Sequence, residues 1–341
     1  MKQKLVTTIN IYIDEHISLP AGQSIVVAFS GGPDSRALLD ILCTRAQENC
    51  WKIYAAHMDH GWRDSSRTES LLCKEWCEKY SIECIVEHLD TYVEKNPQLK
   101  TACSAQSSQE AYARVARYDF LMTYAKSIAD NCVIATAHHR DDQEETFFMR
   151  LIRGASLQGL CGIRPTSTYK NTTLIRPLLC CNKKELLQYI QDKNLAYISD
   201  PSNNDCVHLR NRIRHTIIPA FESTDERFHK TFDKTLANLS AIDDYIQDQT
   251  IKAFAQIRHY DAHNKCTIDV LKLFALHQFL QQQVVLHWLC SEQVYFTPSQ
   301  ALFAEIFRFL KKRKTGSHTL YGRWRISCKK NYAVIELLQE K

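Results

Sequence analysis

The amino-acid sequence predicts an α/β protein, a doubly wound and mostly parallel sheet followed by a smaller, mainly helical domain. Three observations carry this expectation. The first two thirds alternate short apolar runs with stretches of helical periodicity, the pattern of a parallel sheet wrapped by helices. The alternation ends at Pro201 and the polar Ser202-Asn203-Asn204-Asp205, and beyond about residue 220 the periodicity turns helical. A chain of 341 residues is also too long for one ordinary core. The boundary is expected beside Pro219, giving domains 1–218 and 219–341.

The first strand is predicted at residues 25–29, apolar throughout and followed by a helix carrying Ala37, Leu38, Leu39, Ile41 and Leu42. Further strands are expected at 52–58, 83–89 and 132–137, with helices at 65–80 and 107–129 between them. The second domain reads as helices at 222–258, 268–290 and 298–313. Alternating residues from Ser317 onward then predict a hairpin.

No apolar run is long enough to span a membrane and no basic-then-apolar leader opens the chain, so a soluble cytoplasmic protein is expected. The 14 cysteines are scattered through helical and strand patterns without a Cys-x-x-Cys pair. They read as reduced core thiols rather than a disulfide or zinc framework. Net charge is only +5, but between residues 307 and 330 nine basic residues occur without one acidic residue: Arg308, Lys311, Lys312, Arg313, Lys314, Arg323, Arg325, Lys329 and Lys330.

The strongest local signal is Ser30-Gly31-Gly32-Pro33-Asp34-Ser35, between the first strand and its helix, where main-chain N–H groups and a helix N-terminus converge on an anion. Two glycines let the backbone approach phosphate, Ser30 and Ser35 add hydroxyl donors, and Asp34 suits a Mg²⁺ contact. Neither a Walker loop nor a dinucleotide fingerprint is present. His57 and His60 leave the second strand at the end where open α/β sheets place ligands, suiting a loop-ordering or adenosine-side role better than a metal site without a third ligand. Arg114 and Arg117 share a helix face. So do Asp142 and Glu145, which follow Thr136-Ala137-His138-His139. The dipole alone favours acids in a first turn, whereas beside a phosphate loop the pair suits Mg²⁺ or a cationic substrate. Finally, Asp200-Pro201-Ser202-Asn203 leads to the basic run Arg210-Asn211-Arg212-Ile213-Arg214-His215, which suits an RNA backbone or a solvated linking helix.

The glycine-rich run resembles the Ser-Gly-Gly-x-Asp-Ser loop of the N-type ATP pyrophosphatases. Taken in order over residues 24–219, the segments resemble the tRNA(Ile)-lysidine synthase family. That resemblance implies ATP, Mg²⁺ and free L-lysine as reactants and tRNA(Ile) with a CAU anticodon as partner. The wobble cytidine would be adenylated on its C2 oxygen and AMP then displaced by the lysine amine. It implies that Ser30, Gly31, Gly32, Pro33, Asp34 and Ser35 hold the ATP phosphates with His57 nearby, and that Asp34 lies near Mg²⁺. Arg114 or Arg117, His138, Asp142, Glu145, Asn203 and Arg214 match the remaining active-site positions, with Asp142 and Glu145 expected to meet the lysine. Family members are often dimeric, and no sequence feature here argues for or against a homodimer. Longer members carry a further C-terminal domain. Fewer than thirty residues follow the last predicted helix, so the basic stretch is expected to serve RNA binding instead.

Two rivals belong beside this reading. A tRNA thiolase of the same superfamily would need persulfide cysteines or a cluster, and Cys103, Cys132 and Cys161 lie outside any such motif. A passive RNA-binding module has little use for Asp34, Asp142 and Glu145 beside a polyanion.

Overall fold

A computed structural model describes residues 2–99, 109–199, 209–261, 264–294, 296, 298–320 and 322–338. Asn203 and Cys103 lie outside the described residues. The chain forms two compact units, Met1–Asp233 and Lys234–Lys341.

The first unit begins with α1 (Lys2–His16), β1 (Ser24–Ala28), α2 (Pro33–Asn49), β2 (Lys52–Asp59), α3 (Ser66–Glu78), β3 (Cys84–His88) and α4 (Leu89–Lys95). It continues through α5 (Gln109–Ile128), β4 (Val133–Ala135), α6 (Arg140–Ile152), the short α7 (Leu157–Leu160), β5 (Thr166–Tyr169), β6 (Thr172–Ile175) and α8 (Lys183–Asp192). After α9 (Leu209–Arg212) comes a π-helical turn, Ile213–Ile217, then α10 (Ile218–Thr224) and the start of α11 (Phe228–Ile257).

The sheet runs β3-β2-β1-β4-β6-β5, parallel throughout except for the antiparallel edge pair β5–β6. Side chains alternate across each strand, so one period-2 pattern feeds two cores. Ile25, Val27, Ile53, Ala55, Val133 and Ala135 pack with buried residues of α1, α2, α3 and α8. Val26, Ala56, Met58 and Ile134 pack with those of α4 and α5. The expected doubly wound arrangement is therefore present. Burial on both faces explains why the strands read as continuous apolar runs.

One helix forms against its local propensity, and one boundary departs from the sequence expectation. Helix α1 carries Val6, Thr7, Thr8, Ile9, Ile11 and Ile13, residues that favour strands, yet Ile9 and Ile13 are 0% and 1% exposed on one helical face. Packing has overridden propensity there. Residues 219–233 group with the first unit, because Phe221, Phe228 and Phe232 ring Phe148 of α6 with centroids 5.2–6.4 Å away.

The second unit contains the rest of α11, then β7 (Arg258–Tyr260), β8 (Cys266–Asp269), α12 (Val270–Ala275), α13 (Gln278–Ser291), α14 (Gln300–Lys311), β9 (Gly316–Thr319), β10 (Trp324–Lys329) and β11 (Tyr332–Leu337). Its strands form an antiparallel sheet ordered β7-β8-β11-β10-β9. The unit is mainly helical, as expected, and the expected terminal hairpin, β10–β11, is part of a five-stranded sheet. The single helix expected at 268–290 is broken by Asp269 and His277, whose side chains accept from N–H groups of α12 and α13. Trp288, Ile306, Ile326 and Ala333 are fully buried in this core.

Candidate functional site

Strand β1 ends where the order of the sheet reverses, with β2 on one side and β4 on the other, and at such a point loops diverge and leave a crevice. The Ser30-Gly31-Gly32-Pro33-Asp34-Ser35 loop occupies that place. Gly31 has φ +78°, a Cβ there would collide with Ile198 Cδ1 and lie 2.9 Å from Cys73 Sγ, and its carbonyl accepts from Ile198 N–H at 2.9 Å. Gly32 caps α2 with extended backbone and no side-chain cap, followed by Pro33, so no side chain shields the opening turn of this 17-residue helix. The Ser30 and Ser35 hydroxyls lie 3.1 Å apart, and Ser35 donates to the Gly32 carbonyl at 3.0 Å. From β2, the buried His57 sets Nδ1 2.8 Å from the Phe29 carbonyl, which ties it to the base of the loop. Burial pushes its pKa down, although the Phe29 carbonyl and Asp59 act in the opposite direction.

Strand β4 leads through Thr136 and His138 into α6. His139 precedes that helix and its N–H donates to Asp142 Oδ2 at 2.9 Å, which fixes the carboxylate at the helix start. The His139 ring is 5% exposed, with Nε2 3.9 Å from Asp34 Oδ2 and 3.6 Å from Asp142 Oδ2. One imidazole thus joins the glycine-rich loop to α6. Beyond it, the Arg210 guanidinium spans Asp142 and Glu145: Nη2 donates to Asp142 Oδ1 and Nε to Glu145 Oε2. Arg214 Nε donates to Glu145 Oε1 at 2.6 Å. Asp34, His139, Asp142, Arg210, Glu145 and Arg214 are therefore one connected polar cluster.

Glu145 is fully buried and Asp142 9% exposed. A buried carboxylate stripped of its partner costs about 3–5 kcal/mol, so these arginines are structural necessities before any substrate is considered. Burial works to raise the Asp142 pKa. His139, Arg210 and the His139 N–H outweigh it and leave Asp142 below the usual carboxylate range. His138, 2.8 Å from Thr136 Oγ1 through Nδ1, is pushed down to about 4 by burial. Asp142 opposes that shift, while Arg176, Arg114 and Arg210 add to it, so the ring is neutral at neutral pH.

The sequence-predicted residues meet unevenly. Asp34, Asp142, Glu145 and Arg214 share the cluster, and Arg114 acts electrostatically on His138. Arg114 and Arg117 both pack on Tyr118, with guanidinium carbons 5.0 and 5.9 Å from the ring centre. Three contributors were not among the predicted site residues. Lys183 is the first residue of α8, placed by a reciprocal cap in which Asn182 and Glu185 side chains bond each other's main chain at 2.8 Å. Its Nζ lies 2.7 Å from both Asp34 oxygens. His139 and Arg210 are the other two. A Ser/Asn cap signature ahead of an apolar helix could have flagged Lys183; nothing local could have chosen His139 over His138.

A further acid of this helix start, Glu144, is 1% exposed and bonded to His229 Nδ1 at 2.5 Å, while His229 Nε2 lies 2.8 Å from Glu222. Burial acts against charge on His229, but Glu144 and Glu222 together raise its pKa. Among the described residues no group of three His, Cys, Asp or Glu side chains is arranged to hold a metal ion. Asp34 with phosphate oxygens is the donor set that fits Mg²⁺, which keeps few protein ligands. No helix among the described residues is long and apolar enough to cross a membrane.

A family model described as a PP-loop domain matches residues 3–221. The tRNA(Ile)-lysidine synthase of Bacillus cereus is 29% identical over 316 residues, covering 92% of this chain and 65% of that protein. That of Bacillus subtilis is 30% identical over 313 residues, covering 89% and 63%. The chain thus spans less than two thirds of the length of these relatives. Among solved structures, a U34-tRNA thiolase from Methanococcus maripaludis superposes with TM-score 0.56 at 18% identity, over 70% of this chain and 78% of that one, a likeness of fold.

Two outcomes follow from this geometry. Gly31→Ala forces a side chain into the left-handed region, costing about 1–2 kcal/mol. It is expected to lower the urea midpoint and weaken nucleotide binding measured by calorimetry. A folded-state pKa raised above the free histidine value gives the His229 contact full effect below about pH 6.5, lost as pH rises through the raised value. The urea midpoint should therefore decline as pH rises above about 6.5, and His229→Gln should flatten that decline.

Proposed function

We propose, because this chain belongs to the PP-loop domain family, that it uses ATP to adenylate the wobble cytidine of tRNA(Ile) bearing a CAU anticodon and then joins free L-lysine to C2 of that base. Family membership supports the use of ATP. The names of the Bacillus relatives support the RNA and the lysine product. The observation that carries the reading is the unbroken cluster from Asp34 through His139 to Asp142 and Glu145, which puts acidic side chains on the same crevice as an amide-lined anion loop.

In this reading the Gly32 turn and the N-terminus of α2 bind the triphosphate, and Ser30 and Ser35 add hydroxyl donors. Asp34 would hold Mg²⁺, which lowers the charge on the phosphates and eases departure of pyrophosphate. Lys183 is placed to follow the phosphates once Asp34 turns to the cation. The cytosine O2 attacks the α-phosphorus and pyrophosphate leaves with the bond electrons. The lysine ε-amine then attacks C2, the C2–O bond breaks towards AMP, and a carboxylate of the Asp142–Glu145 pair accepts the proton shed by the amine. Arg114 and Arg117 suit phosphate contacts, and Asn203 belongs to the same proposed site. Alignment of three reactants and neutralisation of phosphate charge carry most of the catalytic burden. The base must leave its stack to reach this crevice.

The first unit, Met1–Asp233, is proposed as the catalytic part and Lys234–Lys341 as an RNA-binding one. In the second unit, Arg308, Lys311, Lys312, Arg313, Lys314, Lys329 and Lys330 are exposed, as a phosphate-tracking surface requires.

Incubation with tRNA(Ile), ATP and lysine should add the lysyl mass to the anticodon cytidine in nucleoside mass spectrometry, with AMP release dependent on both lysine and RNA. Labelled sulfide entering the RNA instead would assign a thiolase. Glu145→Gln should cut lysine-dependent AMP release by about 10²-fold or more. Replacing Lys311, Lys312 and Arg313 together by glutamate should weaken RNA binding and reduce the log-log salt slope by about 2–3; an unchanged slope would remove this surface from the interface.

A further inference from the structure

The candidate amine site is already full. Asp142 Oδ2 accepts from the His139 N–H and Oδ1 from Arg210, while Glu145 accepts from Arg210 on Oε2 and Arg214 on Oε1. All four carboxylate oxygens have a charged or main-chain donor, and because Glu145 is 0% and Asp142 9% exposed, an incoming ammonium group reaches them only by displacing one of those donors. We propose that Arg210 is the built-in occupant of the amine subsite, displaced when a substrate phosphate captures its guanidinium, so that lysine binds well only to a protein already loaded with phosphate-bearing substrate. This rests on the proposed function.

The donors differ in how they could leave. The His139 N–H belongs to the start of α6 and cannot withdraw without unwinding that helix. Arg214 holds a single oxygen, so its departure frees nothing on Asp142. Arg210 alone bridges both acids, and its loss frees one oxygen on each, so a single cation can take its place. Its side chain is 40% exposed even while paired, against 0% for the Glu145 it holds.

The backbone suits such a movement. Arg210 lies one turn ahead of the π-helical turn Ile213–Ile217, within a helical stretch described from Leu209 to Thr224, and that wide and uncommon form occurs mainly as single turns at functional sites. Ile213 is fully buried and anchors the turn between the two arginines, so the half-exposed Arg210 side chain can turn towards solvent while Arg214 stays seated. The exchange also balances electrically, because one cation replaces another between two buried carboxylates. The released guanidinium needs an anion, and a phosphate matches its planar fork. That phosphate is either the RNA backbone or the nucleotide, and it supplies what the carboxylates give up.

Lysine affinity, measured by calorimetry on the full chain, tests this directly. Wild type alone should bind lysine weakly, and Arg210→Gln about tenfold or more tightly, since the closed state no longer competes. Arg214→Gln, which leaves the bridge intact, should show no such gain. Wild type should recover the gain on addition of an anticodon stem-loop RNA or a non-hydrolysable ATP analogue, whichever supplies the phosphate, and Arg210→Gln should respond to neither. That wild-type arm needs no variant to fold. Equal or weaker binding by Arg210→Gln, or a wild-type affinity indifferent to both RNA and nucleotide, would overturn the exchange even if lysine is still ligated to RNA. Absence of lysine binding under every condition, with no ligation, would remove the proposed function along with it.

Discussion

Three acids fall within four consecutive positions of α6, and all are withdrawn from water: Asp142 is 9% exposed, Glu144 1% and Glu145 0%. Carboxylates in such surroundings persist as anions only when donors crowd them. Much of the C-terminal part of the first unit can be understood as an answer to that demand. Arg210 and Arg214 meet Asp142 and Glu145 on one side, and His229 meets Glu144 on the other. The chain from α9 to the beginning of α11 is held against α6 by charge, then sealed by the aromatic ring around Phe148. For this reason residues 219–233 group with the first unit, although Pro219 and the change of periodicity suggest a boundary earlier.

The same demand ties the two ends of the candidate site together. The Asp34 carboxylate would repel phosphate if left alone, yet Lys183 sits on both its oxygens and the His139 ring lies beside it. The glycine-rich loop therefore presents main-chain donors to the crevice with its one acid already neutralised. Lys183 reaches this place because α8 begins beside Asp141, towards which the Lys183 N–H points at 3.4 Å. A cap on one helix thus sets the electrostatics at the N-terminus of another.

How much of this was legible before the fold was known depends on the range of the interaction. The first four strands were visible because burial leaves apolar runs such as Ile25-Val26-Val27, a signal contained in a few consecutive residues. Asp142 and Glu145 were visible as a pair because i and i+3 share a helical face. Arg210 was not, since its partners lie 68 and 65 positions away and its segment reads equally as a solvated linker. Lys183 lies 149 positions from Asp34. His138 and His139 are adjacent in the chain, and only the strand-to-helix turn decides that His139 faces the loop while His138 turns to Thr136. In the second unit, Asp269 and His277 cut an apparently continuous helical pattern because each caps a new start.

A crevice that must accept both a triphosphate and an amine faces opposed electrostatic requirements, since what attracts one repels the other. This chain places a complementary charge from its own sequence on each acid: Lys183 on Asp34, Arg210 and Arg214 on the α6 pair. With those contacts made, the acids do not repel an approaching polyanion, and the neutral His138 between Arg114, Arg176 and Arg210 adds no charge of its own. The polyanion can then bind first, and its phosphates are suited to compete for the very cations that screen the acids. Each cation that shifts towards phosphate uncovers negative charge where an amine is needed. The attraction for the second reactant is thereby generated by the arrival of the first, which is an ordering device made from ion pairs alone.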